Sequence, residues 1–151
     1  RPDMAYFKFT KKILDGKKID IYNKGKMYRD YTYVDDIVDG IYKLLNKAPS
    51  LNLKRKFKND SLSPVAPFRV VNIGNSDKIK LIDFIDAIEE SLNKKAIRNY
   101  MPMQKGDVTE TWADASLLQK LTNYKPKTNY KDGINNFVKW YLDYYNEQIR
   151  N

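Results

Sequence analysis

The chain has 151 residues, and 42% are hydrophobic, enough for a packed core and too many for a disordered chain. It contains neither Cys nor His, which excludes a disulfide scaffold, a thiol nucleophile and His-based triads and leaves little from which to build a zinc site. The net charge of +9 rests on 28 Lys and Arg against 19 Asp and Glu, and it invites an anionic partner such as nucleic acid, phosphate or a sugar acid.

Taken in order, residues 4–14 read as a helix in which Met4, Phe7, Ile13 and Leu14 are roughly helically spaced, stopped by Asp15-Gly16. "KIDIY" is a short strand and "NKGKM" a loop. "YRDYTYV", residues 28–34, alternates and is rich in Tyr, so it predicts a second strand. It runs into a helix whose apolar stripe is Val34, Ile37, Val38, Ile41, Leu44 and Leu45, with Asp35 and Asp36 in the first turn where the helix dipole favours carboxylates.

Residues 47–67, with Pro49, Pro64 and Pro67, form an irregular stretch too long for an ordinary connector, either a mobile loop or a lid. "FRVVNIG" predicts a buried strand closed by Gly74. A helix over about 80–93 buries Leu81, Phe84, Ile85, Ile88 and Leu92. "IRNYMPM" is a short strand, "QKGD" at 104–107 a turn, and "ADASLLQKL" a short helix with Asp114 as N-cap. The last helix, about 129–149, carries Ile134, Phe137, Val138, Tyr141, Leu142 and Tyr145 on one face. The expected fold class is α/β in an α+β arrangement: about four helices around short strands, forming one domain over residues 1–151.

Tyr22 and Lys26 have the Tyr-x-x-x-Lys spacing of a catalytic pair. That pair works when the i, i+4 spacing stacks both side chains on one helix face. Here Asn23, Lys24 and Gly25 intervene, Asn and Gly are turn residues, and the segment lies between strands, so the spacing is expected to be accidental. No G-x-G-x-x-G follows any strand, so the chain has no dinucleotide fingerprint of its own.

Four stretches in order, "GKKIDIYNKGKMYRDYTYVDDIVDGI", "RVVNIGNSDKIKLIDFIDAIE", "MPMQKGDVTETWADASLLQKL" and "PKTNYKDGINNFVKWYLDYY", resemble the C-terminal half of extended short-chain dehydrogenase/reductase nucleotide-sugar enzymes. "RPDMAYFKFTKKI" and "MQKGDVTETWAD" bring the pattern nearest to the UDP-glucuronate 4-epimerase type. The resemblance covers essentially the whole chain. It implies a substrate-binding lobe whose partner half, a Rossmann domain with the NAD turn and the catalytic Tyr-x-x-x-Lys, lies outside this sequence; the opening Arg1-Pro2-Asp3, without Met, fits a fragment. It also implies NAD as cofactor, inversion at the sugar C4 through a 4-keto intermediate, no turnover by the lobe alone, and a homodimer when full length.

A UDP-sugar offers a diphosphate, a ribose diol, a uracil and the sugar itself. Arg29 is the candidate for the diphosphate, because a guanidinium forks onto two oxygens; the other reading pairs it with Asp30 or Asp36. The resemblance implies main-chain groups near Ile21 reading the uracil edge with Tyr22 as a wall, and Asp107 accepting from the ribose diol; the other readings are that Ile21 and Tyr22 are ordinary alternating strand residues and that Asp107 serves turn chemistry alone. Relatives specific for UDP-galactose carry Arg three residues before this Asp, and here that position is Gln104. Arg1 is the candidate for the glucuronate carboxylate, and Arg69 a lesser one. Related decarboxylases, 4,6-dehydratases and N-acetylhexosamine epimerases share the plan.

The competing class is a basic nucleic-acid module. Only six basic residues are Arg (Arg1, Arg29, Arg55, Arg69, Arg98, Arg150), the lysines are spread along the chain, and "LKRKFK" at 53–58 sits in the irregular loop rather than on a helix face. No nucleic-acid partner is therefore expected. No apolar run nears the ~20 residues of a membrane helix and no secretory pattern opens the chain, so no membrane partner and a cytoplasmic location are expected.

Overall fold

The structure, a computed structural model, describes residues 2–50, 54–55 and 57–145. Arg1 and two positions of "LKRKFK", 53 and 56, lie outside the described residues. Five α-helices and five short strands are present among those described. They belong to two compact units. The first comprises residues up to Arg29, Lys78–Thr111 and the chain from Asn129 onward; the second comprises Asp30–Asp77 and Trp112–Thr128.

In the first unit, α1 (Ala5–Leu14) buries Phe7, Thr10 and Ile13 and ends at Asp15, with Gly16 at φ +66°. This is the left-handed stop that Asp-Gly predicts. Strand β1 (Lys18–Ile21) follows, with Ile19 and Ile21 inward, and pairs in parallel with β4 (Ile97–Tyr100), Ile21 opposite Tyr100. Between these two in sequence come β2 (Tyr28–Arg29), β3 (Ile79–Lys80) and α3 (Leu81–Leu92). Helix α3 ends at Asn93 in the left-handed region, where Asn is tolerated better than a branched residue.

Helix α5 (Tyr130–Tyr144) is capped by Asn129, whose side chain accepts from the Lys131 N–H at 2.9 Å. Helix α3 packs on α1 and α5, and the core comprises Phe84, Ile85, Ile88, Leu92, Ile134, Val138 and Tyr141. Phe7 meets the Tyr141 ring edge-on at 5.1 Å. Tyr145, expected inward, is exposed, because the buried stripe runs out at Tyr141.

One buried carboxylate was not anticipated. Glu89, 3% exposed, accepts from Arg98, Lys95 and the Ala96 N–H and so ties the end of α3 to β4. Its carboxyl is held below the usual range: burial opposes ionisation, but the Lys95, Arg98 and Ala96 hydrogen bonds outweigh it.

The second unit contains α2 (Val34–Leu45) and α4 (Ser116–Thr122), packed on each other. Helix α2 corrects the expected stripe. Its buried residues are Asp36 and Gly40, whereas Val34, Val38, Ile41 and Leu45 are 51–65% exposed and Tyr42 is 70% exposed. The inward face is chosen by polar chemistry. Asp36 Oδ2 accepts from the Thr128 N–H at 2.9 Å, and the Tyr124 hydroxyl lies 3.1 Å from Oδ1. Gly40 lets the helix approach Ile73 and Tyr124. The Asp36 carboxyl sits below its ordinary range. Burial alone would raise it, but hydrogen bonds from Thr128, Lys127 and Tyr124 prevail. Burial, with Asp36 adding to it, pushes the Tyr124 hydroxyl up to about 12.

"FRVVNIG" is not a strand. Phe68 and Val70 are exposed, and their backbone is spent locally: the Ser63 N–H donates to the Phe68 carbonyl, and the Val70 N–H donates to Ser61 Oγ. "YRDYTYV" likewise keeps only Tyr28 and Arg29 as strand. Asp30 instead accepts from the Ser76 and Ala113 N–H groups at 3.0 and 3.1 Å. The described part of the irregular loop is anchored. Arg69 grips Asp60 through both carboxylate oxygens at 2.9 and 3.1 Å, with the two side chains 5% and 0% exposed, and Leu62 is buried. Asp114 accepts from the Ser116 N–H but stands one residue before the cap position, Ala115.

Two outcomes follow from these buried polar groups. Thr10 Oγ1 is buried without a hydrogen-bond partner among the described residues. Thr10→Val, which removes that hydroxyl, is expected to raise stability by about 1 kcal/mol in urea unfolding. Asp36 has a depressed folded pKa, so its stabilisation is present above the unfolded carboxylate value and is lost as pH falls through the folded one. Asp36→Asn is expected to lower the urea midpoint at pH 7 and to lose less of it than the parent chain between pH 5 and pH 2.

Candidate functional site

Four of the six candidates, Tyr22, Arg29, Gln104 and Asp107, lie at or near strand ends of the first unit, and Ile21 lies in its core. Strand β2 is the middle of a three-stranded sheet in the order β3-β2-β5, where β5 is Glu110–Thr111. Arg29 stands opposite Ile79 in antiparallel β3 and opposite Thr111 in parallel β5. The Tyr28 N–H donates to the Thr109 carbonyl at 2.9 Å, which draws the 104–109 segment alongside β2.

That pairing brings Arg29 and Asp107 together. Arg29 Nη2 donates to Asp107 Oδ1 at 3.0 Å, and Nη1 donates to the Tyr28 carbonyl at 2.8 Å. Both side chains are half-buried, 27% and 32% exposed. The same Asp107 oxygen accepts from the Val108 N–H at 2.8 Å, so the carboxylate is oriented by its own backbone. The turn is closed by the Asp107 N–H donating to the Gln104 carbonyl at 3.3 Å, with Gly106 at φ +82°, a conformation that suits glycine. The Gln104 side chain is exposed. Arg29 therefore pairs with neither Asp30 nor Asp36. Those two carboxylates take backbone N–H groups instead.

Ile21 is fully buried, and its carbonyl accepts from the Met101 N–H at 2.9 Å. The next residue, Tyr22, is half-buried and opens a 3₁₀ turn, Tyr22–Gly25, in which Asn23 and Lys24 have φ of 50° and 51°. No α-helix carries Tyr22 and Lys26, as the turn residues between them led us to expect. Gly25 is required twice over: its φ is +78°, and a Cβ there would run into the Ile82 side chain. Arg1 is outside the described residues, and Arg69 is spent in the buried pair with Asp60.

Sequence reasoning missed that Arg29 and Asp107, 78 residues apart, form an ion pair. The signal for it was the "YR" strand beside a Gly-Asp turn, but the partner strand could not be named. Two hollows lie away from this pair. One, of about 350 Å³, is lined by aromatic side chains including Tyr6, Phe137 and Trp140, and the other, of about 440 Å³, by Asp86, Glu89 and Lys94 among others. Arg29 and Asp107, half-exposed side by side, put a cation with spare donors next to a carboxylate, a ledge suited to a ligand bearing both an anion and hydroxyls.

The comparisons with known proteins agree with one another. The family described as GDP-mannose 4,6 dehydratase matches residues 4–137. Protein CapI of Staphylococcus aureus is 49% identical over 146 residues, covering 96% of this chain and 44% of that protein. A probable UDP-glucuronate 4-epimerase of Rhizobium meliloti is 44% identical over 143 residues, covering 93% and 42%. Among solved structures, the UDP-glucuronic acid 4-epimerase of Bacillus cereus in complex with NAD superposes with a TM-score of 0.73 at 27% identity, covering 98% of this chain and 41% of that one. The chain thus spans less than half the length of these relatives. With nearly all of it aligned to one profile and to these relatives, the chain belongs to the GDP-mannose 4,6-dehydratase family of extended short-chain dehydrogenase/reductase nucleotide-sugar enzymes, of which it represents a C-terminal part.

Proposed function

We propose that this chain is the substrate-binding portion of an NAD-dependent nucleotide-sugar epimerase that acts on UDP-glucuronate, inverting C4 through a 4-keto intermediate. The observation that carries the reading is the Arg29–Asp107 pair. The two groups adjoin, with Nη2 3.0 Å from Oδ1, so one ligand reaches both, its diphosphate on the guanidinium and its ribose diol on the carboxylate. The names of the relatives support the choice of sugar. The uracil belongs beside Tyr22, since the Ile21 side chain is in the core and its carbonyl is already bonded to Met101. Gln104, exposed at the start of the Asp107 turn, offers an amide toward the diphosphate, and Arg1 remains the proposed partner of the glucuronate carboxylate.

The residues present do not fit a dinucleotide. The six glycines, Gly16, Gly25, Gly40, Gly74, Gly106 and Gly133, never fall in the G-x-G-x-x-G spacing that lets a backbone approach a pyrophosphate. NAD and the proton-transferring tyrosine are therefore assigned to the remainder of the longer protein, and this chain contributes orientation. That remainder is also the proposed cover for the apolar face of α2, whose Val34, Val38, Ile41, Tyr42 and Leu45 face solvent here. In the whole protein we place a homodimer in the cytoplasm. No helix among the described residues is long and apolar enough to cross a membrane. The family's dehydratase description favours a 4,6-dehydratase as the second reading, which would hold its nucleoside diphosphate on the same ledge.

Calorimetric titration at 150 mM salt tests the site. The chain is expected to bind UDP saturably. Arg29→Ala is expected to weaken binding about ten- to a hundredfold, the worth of a charge-assisted hydrogen bond, with only a small drop in the unfolding midpoint, since the pair it breaks is half-exposed. Equal affinity in the two proteins would remove UDP from this ledge. Binding that UDP does not compete and that falls steeply with salt would instead favour a nucleic-acid module. On size-exclusion chromatography the chain alone is expected to self-associate through the α2 face, and Val38→Lys with Ile41→Lys is expected to restore a monomer; a parent chain that elutes as a clean monomer contradicts the assignment of that face.

A further inference from the structure

We infer that Asp107 is a specificity-determining residue that keeps free inorganic phosphates off Arg29, in addition to any contact it makes with a ribose. The inference rests on the nucleotide reading above and extends it. Arg29 has five N–H donors, of which one goes to the Tyr28 carbonyl and one to Asp107. Three remain, enough for a phosphate. An anion seated on them lies within a few ångströms of the Asp107 carboxylate, because the guanidinium and the carboxylate are only 3.0 Å apart.

Like charges that close repel appreciably even at a half-exposed site. The carboxylate is fixed by the Val108 N–H and by the turn at Gly106, so the repulsion is built into the backbone. A bare pyrophosphate meets the repulsion and receives nothing in return. A nucleoside diphosphate meets it as well, but its ribose hydroxyls donate to the same carboxylate and convert the penalty into a bond. The pair thus distinguishes a diphosphate that carries a diol from one that does not, which is discrimination by a repulsive element. The net charge of +9 makes such a device useful, since a basic surface attracts every small polyanion.

Asp107→Asn tests this cleanly. The amide oxygen can still accept from Arg29 and Val108 while the charge is gone. Affinities for sodium pyrophosphate and for UDP are measured at 150 mM salt on the parent chain, Asp107→Asn, Arg29→Gln and the double variant, by calorimetry with ³¹P NMR line broadening for the weaker ligand. Asp107→Asn is expected to bind pyrophosphate about tenfold more tightly and to narrow the preference for UDP over pyrophosphate by tenfold or more. The double variant is expected to lose that gain, which places the anion on Arg29. Unchanged or weaker pyrophosphate binding by Asp107→Asn overturns the inference, and so does a gain that survives in the double variant. If UDP binds the parent chain and Arg29→Gln equally, the nucleotide reading itself fails, a result separate from either of these.

Discussion

Tyr28 and Arg29 pair on one side with Lys80 and Ile79 and on the other with Glu110 and Thr111. Two residues of strand thereby gather two segments that lie about fifty and about eighty positions further along the chain. The register leaves no freedom in where the Arg29 side chain emerges relative to the 104–109 turn, since side chains alternate faces and a one-residue slip would send it to the other side. The Tyr28 N–H bond to Thr109 and the Gly106 turn then set the carboxylate against the guanidinium. The proposed ligand chemistry depends on this small sheet far more than on the helices.

In the second unit, carboxylates do the work that regular hydrogen-bond ladders do elsewhere. Most of its described residues lie outside strands and helices, so many backbone N–H groups need partners. Asp30 accepts from Ser76 and Ala113, Asp36 from Thr128, and Asp60 from Leu62 as well as Arg69. A buried carboxylate with several donors is stable only as a complete set, because its ionised form is costly to bury unpaired. This explains why loops without repetitive structure are nonetheless defined, and why the "FRVVNIG" segment turns to Ser61 and Ser63 rather than forming a strand.

Helix α2 illustrates the same competition. Its sequence has a clear apolar stripe, and the face turned inward is the one carrying Asp36 and Gly40. A hydrogen-bonded carboxylate and a close glycine contact set the docking, and the hydrophobic side chains are left outward in this chain. An amphipathic pattern reports that a helix has an apolar face, without naming the surface that covers it.

The sequence by itself determined the local elements whose signals are local. The α1 stop at Asp15-Gly16, the inward residues of α3, the Gly-Asp turn at 104–107 and the non-helical Tyr22–Lys26 spacing all follow from periodicity, glycine and turn chemistry within a few residues. The family was legible too, because four motifs occur in a recognisable order. Only the tertiary structure decided which distant groups meet: Arg29 with Asp107, Arg69 with Asp60, Asp36 with Tyr124 and Thr128. Those pairings depend on chain reversals and strand register, which a linear pattern does not encode locally, and they settle whether a charge is spent inside the fold or left for a ligand.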